Sequence, residues 1–145
     1  QPKVLIRQVG NCINATIDIS SGIITQSVYA LYPSKDKEYI YALVGVLNSK
    51  LFDFFYRIIS GDKQMFKRII LENVKLLPYP DMMSPYIPIL DKLVKAFFSY
   101  EDNTIANKID ILVYKLYKLT YDEILIVDSN TLITREEYEN FKFED

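Results

Sequence analysis

The chain has 145 residues, of which half are hydrophobic and a quarter are charged, and its formal net charge is −2. This length is enough for one domain with a buried core and no disulfides. The single cysteine, Cys12, excludes an internal disulfide and a thiolate metal cage, and the absence of histidine excludes a Ser-His-Asp triad and an imidazole metal site. No apolar run approaches the roughly 18 residues that a membrane-spanning helix requires.

Charge is unevenly distributed along the chain. Residues 1–80 carry ten Lys and Arg against six Asp and Glu, a net charge of +4, whereas residues 81–145 carry seven against thirteen, a net charge of −6. Such an asymmetry is typical of a chain whose first half binds an anionic partner. Acidic surface helices in the second half explain it equally well, and charge alone does not separate the two interpretations.

Three strands are predicted at the start of the chain. Residues 4–9 are rich in β-branched side chains, residues 13–19 alternate between apolar and polar side chains, and residues 23–32 are a third strand candidate that ends at Pro33. The Ser20-Ser21-Gly22 cluster is typical of a turn. We therefore expect two turn-linked antiparallel strands in this region.

One long amphipathic helix is predicted over about residues 37–59. Ser34 or Asp36 is a candidate cap for its start, and Gly61 is suited to the left-handed position after its end. Residues 69–77 fit either a short helix or a strand, stopped by the prolines of LLPYP. The apolar face of the long helix follows the i, i+3, i+4, i+7 spacing and consists of Ile40, Leu43, Val44, Leu47, Leu51, Phe54, Phe55 and Ile58.

The second half of the chain is predicted to be helical. Ser84-Pro85 is typical of an N-cap and first helical position, an apolar stripe continues to about Tyr100, and residues 101–103 form a polar turn into a further helix. A turn this short predicts an antiparallel helix pair. Two later segments match the capping-box spacing of short helices, Thr120 with Glu123 and Thr134 with Glu137.

The predicted fold class is therefore α+β. It has short N-terminal antiparallel strands packed on a long helix, followed by an antiparallel helix pair and short C-terminal helices. We expect residues 1–145 to form a single domain with a β-rich half over 1–80 and a helical half over 81–145. The abrupt, strand-like start favours a fragment of a larger protein.

The candidate binding site is a basic segment bounded by two arginines. Residues 57–68 hold four cations and one acid, Asp62. Arg and Lys can donate to guanine, Gln can pair with adenine, and Lys can neutralise phosphates. The alternative interpretation of residues 57–68 is a basic turn that only contacts solvent. The alternative for Arg7 is a charge on an edge strand that prevents aggregation. The candidate DNA-binding residues are Arg7, Arg57, Lys63, Gln64, Lys67 and Arg68.

Catalysis by this chain alone is not expected. Its four glycines form neither a phosphate loop nor a dinucleotide fingerprint, and its carboxylates lie mainly on predicted solvent faces of helices. We therefore predict no catalytic residue and no metal ligand. Asn48 and Ser49 are expected to hydrogen-bond to neighbouring backbone and not to read bases.

Five segments form an ordered set along the chain: KVLIRQVG, LNSKLFDFFYR, KRI, LPYP and IDILVYKLYKLTYDEI. Together they resemble the TaqI-like C-terminal specificity domain of N6-adenine DNA methyltransferases and restriction-modification enzymes, over nearly the whole chain. Two positions depart from that pattern. Lys118 stands where a glycine is usual, so that its helix either ends without a glycine cap or continues, and Tyr79 stands where an aliphatic residue is common.

The resemblance implies a target-recognition module of a type II or IIG-like restriction-modification adenine DNA methyltransferase, located in the cytoplasm. Such a module binds double-stranded DNA, while a separate methyltransferase domain of the same polypeptide binds S-adenosylmethionine and flips the target adenine. The hallmark (N/D/S)-P-P-(Y/F/W) of that domain is absent here. No cofactor is therefore expected in this chain, and the parent enzyme methylates DNA with or without also cleaving it.

Two other functions stay open at this point. The chain could be a protein-interaction module whose acidic helices dock a partner subunit, and a large exposed apolar patch on residues 84–119 would favour this. It could also be half of a type I restriction specificity subunit. Such a subunit normally has a long heptad spacer helix, which this sequence does not show.

Overall fold

The computed structural model describes residues 2–10, 12–20, 27–32, 39–61 and 68–142, and within them the chain forms three strands and seven helices. This confirms the α+β fold class. The strands are β1 (Lys3–Arg7), β2 (Ala15–Asp18) and β3 (Val28–Leu31). The helices are α1 (Ile40–Leu47), α2 (Lys50–Ser60), α3 (Leu71–Lys75), α4 (Tyr86–Tyr100), α5 (Asn103–Leu116), α6 (Tyr121–Val127) and α7 (Arg135–Asn140).

Some predictions fall on residues outside the described ranges. These are the turn at 21–22, residues 23–26 of the third strand, and the candidate helix caps Ser34 and Asp36.

The three strands form one antiparallel sheet in the order β2-β1-β3. Neighbouring strands are antiparallel, but the turn-linked pair predicted around the Ser20-Ser21-Gly22 cluster is wrong. The strands on either side of that cluster, β2 and β3, both pair with β1 and are separated by it. Val4 and Ile6 of β1 are fully buried, and this face of the sheet packs against α1.

The predicted single helix over residues 37–59 is wrong, because the structure contains two helices there. Ser49 is extended (φ −69°, ψ 155°) and its hydroxyl accepts a hydrogen bond from the Phe52 N–H at 3.2 Å. The same hydroxyl donates to the Val46 carbonyl at 2.6 Å. Serine is among the residues that best begin a helix in this way, so α1 stops and α2 starts afresh at this point.

This break changes which face of α2 is buried. Phe52 and Tyr56 are buried, whereas Ile58 is 64% exposed and Phe54 is half-buried. The predicted apolar stripe had included Phe54 and Ile58 and had omitted Phe52. Helical periodicity restarts at a new cap, so a pattern counted through Ser49 assigns the wrong residues to the core.

The residue before the break attaches α1 to the sheet. The Asn48 side chain accepts a hydrogen bond from the Ala15 N–H at 2.7 Å and donates to the Ala15 carbonyl at 2.9 Å. Its amide therefore pairs with the outer edge of β2 as a neighbouring strand would. The predicted hydrogen bonds to neighbouring backbone are confirmed for Ser49. For Asn48 the prediction is wrong, because its partner Ala15 lies 33 positions away in sequence.

Helix α4 caps and packs against α1. The Asp91 carboxylate accepts a hydrogen bond from the Ala42 N–H at 3.0 Å, which satisfies a donor in the first turn of α1. Burial raises the pKa of Asp91 above its usual value. The two helices approach closely at Gly45, where an added Cβ would lie 2.5 Å from Cγ2 of Val94.

The predicted helix pair is confirmed as α4 and α5, which pack together. Pro85 is the N-cap of α4, whereas the sequence predicted Ser84 as the N-cap and Pro85 as the first helical residue. Glu101 ends α4 in the left-handed region (φ 45°, ψ 38°), and the Asp102 carboxylate caps α5 by accepting from the Thr104 N–H at 2.8 Å. Both predicted capping boxes, at the starts of α6 and α7, are also present.

Helix α5 ends at a residue that holds an unfavourable backbone conformation. Lys118 has φ 58°, its N–H donates to the Lys115 carbonyl at 2.9 Å, and the Leu119 N–H donates to the Tyr114 carbonyl at 3.0 Å. This pair of bonds is the Schellman motif, which usually places glycine at the left-handed position. The helix therefore ends at Lys118 without a glycine cap, the first of the two outcomes that the sequence left open.

Replacing Lys118 with glycine is expected to raise the free energy of unfolding by about 0.5–1 kcal/mol, because glycine occupies positive φ without a Cβ clash. Chemical denaturation of both proteins measures the difference. Lys118→Ala is the matched control: it removes the same side chain beyond Cβ but keeps the strain, so it should leave stability nearly unchanged. An equal gain in both variants would contradict the backbone explanation.

An aromatic cluster ties α2 to the LLPYP segment and to α5. The ring of Phe52 contacts those of Phe55, Tyr79 and Tyr117 with centroids 5.5–6.1 Å apart. The Tyr79 hydroxyl donates to the Val74 carbonyl at 2.9 Å, and the Tyr117 hydroxyl donates to a carbonyl within LLPYP. The hydroxyl of Tyr79, which an aliphatic residue would lack, thus forms a hydrogen bond within this region. Residues 69–77, which fitted either a helix or a strand, contain the short helix α3.

Buried side chains from β1, β2 and from α1 to α7 belong to one hydrophobic cluster, to which residues on both sides of position 80 contribute. All three strands lie before residue 80, but so do α1, α2 and α3. The division into a DNA-reading half and a helical half stays a prediction.

Candidate nucleic-acid interface

Just beyond β1, the chain pairs with the last residue of the predicted basic segment and with the residue that follows it. Val9 and Arg68 form an antiparallel bridge, and the Ile69 N–H donates to the Gln8 carbonyl at 2.7 Å. The chain thus returns to β1 immediately after residues 62–67. Those six residues, which include Lys63, Gln64 and Lys67, lie outside the described ranges.

Two tyrosines hold the returning chain in place. The Tyr29 hydroxyl on β3 donates to the Ile69 carbonyl at 3.0 Å, and the Tyr56 hydroxyl on α2 accepts from the Ile70 N–H at 2.9 Å. Ile69 itself is fully buried. Three hydrogen bonds, with Gln8, Tyr29 and Tyr56, therefore fix the backbone that follows Arg68.

The far end of the basic segment is fixed by the contacts at Ile69 and Ile70, whereas LLPYP packs against α2 and α5. The near end is the C-terminus of α2, where Gly61 has a positive φ of 71° and its N–H donates to the Arg57 carbonyl at 3.0 Å. The predicted helix end at Gly61 is confirmed, but Gly61 is the C-cap and its ψ of 162° lies outside the left-handed helical conformation that was expected.

Arg7 and Arg68 are brought together on adjoining segments. Arg68 is directly opposite Val9, and opposed residues in an antiparallel pair place their Cβ atoms roughly 5 Å apart on one face. Arg7 precedes Val9 by two positions and, like Val9, is exposed, with a bend of the chain at Gln8 between them. Both arginines are exposed, and neither forms an ion pair with any described residue.

Arg57 lies elsewhere. Its guanidinium pairs with the Asp53 carboxylate one turn earlier on α2. It lines a polar groove of about 260 Å³ between α2 and the segment after α6, together with Lys50 and Asp128. One oxygen of Asp53, Oδ1, is buried there without a hydrogen-bond partner among the described residues. Arg57 is thus partly neutralised and faces away from the buried side of α2, and its contact with DNA stays a prediction.

Sequence reasoning missed the residues that position this surface. Tyr29 and Tyr56 act through hydroxyl groups on two different elements, and each looks like an ordinary core aromatic in sequence. Val9 and Ile70 were not singled out either, yet they are 61% and 43% exposed beside the two arginines. A pattern of exposed aliphatics next to arginine appears only once the bridge between β1 and residue 68 is known.

Neither a metal-binding cluster nor a membrane-spanning helix is present in the part of the chain that the structure describes. The described residues contain no group of three or more His, Cys, Asp or Glu side chains placed to hold a metal ion. None of the helices in the described ranges is long and apolar enough to span a membrane.

The fold and this surface define a small α+β module that presents two arginines beside the end of the central strand of its sheet. The family model of the TaqI-like C-terminal specificity domain matches residues 1–79. The chain therefore belongs to this family, whose members are specificity domains of restriction-modification methyltransferases. No curated protein matches the chain.

The matched residues contain β1 to β3, α1 to α3 and every candidate DNA-binding residue. The helices α4 to α7 lie outside the match, so the resemblance quoted for IDILVYKLYKLTYDEI stays a prediction.

Proposed function

We propose that this chain is the DNA target-recognition module of a site-specific adenine methyltransferase of a restriction-modification system. The observation that carries the proposal is that Arg7 and Arg68 are exposed and have no acidic partner among the described residues. The hydrogen bonds at Ile69 and Ile70 hold the backbone next to Arg68. Membership of a specificity-domain family supports it. So does the net charge of +4 over residues 1–80.

The chemistry of this surface suits a base-reading role. A guanidinium on a fixed backbone can donate two hydrogen bonds to guanine O6 and N7, and recognition is sharper when the donor's backbone does not move. Exposed aliphatic side chains such as Val9 and Ile70 are of the type that contacts the thymine methyl group. Lys63, Gln64 and Lys67, on the intervening segment, add phosphate or base contacts in the same proposal.

In this proposal, catalysis belongs to a separate methyltransferase domain of the same polypeptide in the cytoplasm. That domain binds S-adenosylmethionine, which supplies the methyl group, and holds the flipped adenine. The residues of this chain bind and orient the duplex. Its lack of histidine and of a glycine-rich loop agrees with this division of roles.

The parent enzyme with Lys67→Ala and Arg68→Ala tests the proposal. We expect methylation at its native site to fall by roughly 5- to 150-fold in kcat/KM, because one lost bidentate base contact costs about 1–3 kcal/mol. S-adenosylmethionine affinity and thermal unfolding should not change. The control is Lys92→Ala with Lys108→Ala, which removes the same charge from exposed positions on α4 and α5. Unchanged methylation by the first variant, or equal losses in both, would rule out the assignment.

Docking to another part of the parent enzyme is a second function that one observation favours. On residues 84–119, the described large hydrophobic side chains with more than a third of their surface exposed are Phe98 (45%) and Tyr100 (77%), both at the end of α4. Two neighbouring exposed aromatics suit a protein contact. The two functions are compatible, since a recognition module must also be held against its catalytic domain.

A further inference from the structure

A cavity of about 190 Å³ lies between α1, α4 and α5 and reaches Asn48 and Ser49 at the end of α1. Its walls are mainly apolar. They include Val44, Val94, Phe97, Phe98, Ala106 and Ile109. Phe98 is 45% exposed, so the cavity has an aromatic residue that is accessible from outside. Neither the proposed DNA contacts nor the aromatic cluster around Phe52 uses this space.

One carboxylate, that of Asp110, lines this apolar cavity. Within the described structure no donor hydrogen-bonds to it, although a partly buried carboxylate normally has such a partner. Burial raises the pKa of Asp110 to about 6. The other charges that act on it are those of Lys50 and Asp128, so the three groups sum to −1 and an added cation is attracted.

We infer that this cavity binds a basic side chain, Lys or Arg, from a protein segment outside residues 1–145, in the methyltransferase domain of the parent enzyme. The aliphatic stem of the side chain packs on Val94, Phe98 and Ile109, and its cationic group donates to the Asp110 carboxylate. Lys and Arg are the side chains that combine an apolar stem with a charged head. The inference rests on the proposed function for the identity of the partner.

Charge complementarity favours this occupant. Residues 81–145, which supply α4 and α5, have a net charge of −6. A cation placed at Asp110 satisfies the unpaired carboxylate with a charge-assisted hydrogen bond, which is about twice as strong as a neutral one. The exposed rings of Phe98 and Tyr100 provide apolar surface for the backbone that carries the inserted side chain.

The first experiment uses the 145-residue chain with n-butylguanidinium as a probe for the arginine side chain and 1-butanol as a neutral probe of the same stem. Methyl NMR of Val44, Val94 and Ile109 follows the binding. We expect saturable shifts with n-butylguanidinium at a Kd at least about fivefold lower than that of 1-butanol. Equal affinities, or no saturable shift with n-butylguanidinium, would overturn the inference.

Two variants separate charge from space. Asp110→Asn keeps the cavity shape and should abolish the preference for the cation. Ala106→Leu fills the cavity without changing charge and should abolish binding of both probes. If Asp110→Asn binds n-butylguanidinium as tightly as the original chain does, the probe sits elsewhere and the inference is wrong. Neither measurement involves DNA, so its failure is distinguishable from failure of the proposed recognition function.

The parent enzyme decides the source of the cation. If a basic side chain of the catalytic domain occupies the cavity, n-butylguanidinium should leave the Val94 and Ile109 methyl signals unchanged in the intact enzyme. If the probe binds there as it does to the isolated chain, the cavity is open in the assembled enzyme. The site would then take a free small cation, and the proposed protein occupant would be excluded.

Discussion

Phe52→Ala is expected to lower the free energy of unfolding by about 3–5 kcal/mol, the usual loss for a buried phenylalanine. Phe52 is fully buried and its ring contacts three other aromatic rings. These contacts join α2 to LLPYP and to α5, so truncation leaves a cavity where three parts of the chain meet. Urea denaturation followed by circular dichroism measures the loss.

Phe54→Ala is the matched control for Phe52→Ala. It is the same chemical change on the same helix, two residues away, but Phe54 is half-buried beside the polar groove with Arg57. We expect its cost to stay below about 1.5 kcal/mol, because part of the ring is already in water. A cost equal to that of Phe52→Ala would mean that the helix runs unbroken through Ser49, as the sequence periodicity had predicted.

Asp110→Asn is expected to raise the free energy of unfolding above pH 7 by about 1–3 kcal/mol, since one unit of pKa shift is worth about 1.4 kcal/mol. In the folded chain burial raises the pKa of Asp110 from 3.8 to about 6. Between these values the folded state binds more protons than the unfolded state, so stability falls as pH rises. The ionised Asp110 carboxylate therefore destabilises the folded chain fully above pH 6 and not at all below pH 4. The asparagine of the variant carries no charge, so the substitution removes this destabilisation.

The measurement is the stability difference between Asp110→Asn and the original chain at several pH values from 4 to 8. Asp91, whose pKa burial also raises, is present in both proteins and cancels. The pKa of Asp18 is lowered to about 2 by hydrogen bonds from Ser20 and Lys3, so its titration falls below this range. A flat profile for Asp110→Asn would refute the burial argument.

Local signals in the sequence predicted much of the fold correctly. The capping boxes at Thr120 and Thr134, the turn at residues 101–103 and the helix end at Gly61 all involve residues within a few positions of each other. Such signals depend on side chains that bond to their own neighbouring backbone, and the sequence displays these directly.

The helix break at Ser49 was missed for a related reason. Serine within an apolar helical pattern is ambiguous, because it can face solvent in a continuous helix or cap a new one. Here Asn48 bonds to Ala15 on β2, and this distant contact accompanies the cap. Periodicity contains no information about such a contact, so it assigned Phe54 to the core in place of Phe52.

The candidate DNA-binding residues came from residue types, and their contacts with DNA stay a prediction. The structure places Arg68 opposite Val9, two positions after Arg7. It places Arg57 with Asp53 in a separate groove. The contacts that hold Arg68, from Tyr29, Tyr56 and Gln8, join positions 14 to 61 residues apart, and no local pattern indicates them.

The sequence by itself determined the fold class, the absence of histidine-based catalysis, the helix caps of the second half and the position of the basic segment. These follow from composition and from interactions between near neighbours in the chain. Only the tertiary structure decided which aromatic residues form the core, which arginines share a surface, and that Asp110 lines an apolar cavity. Each of these depends on pairing or burial between distant segments, where the free energy is set by packing and desolvation.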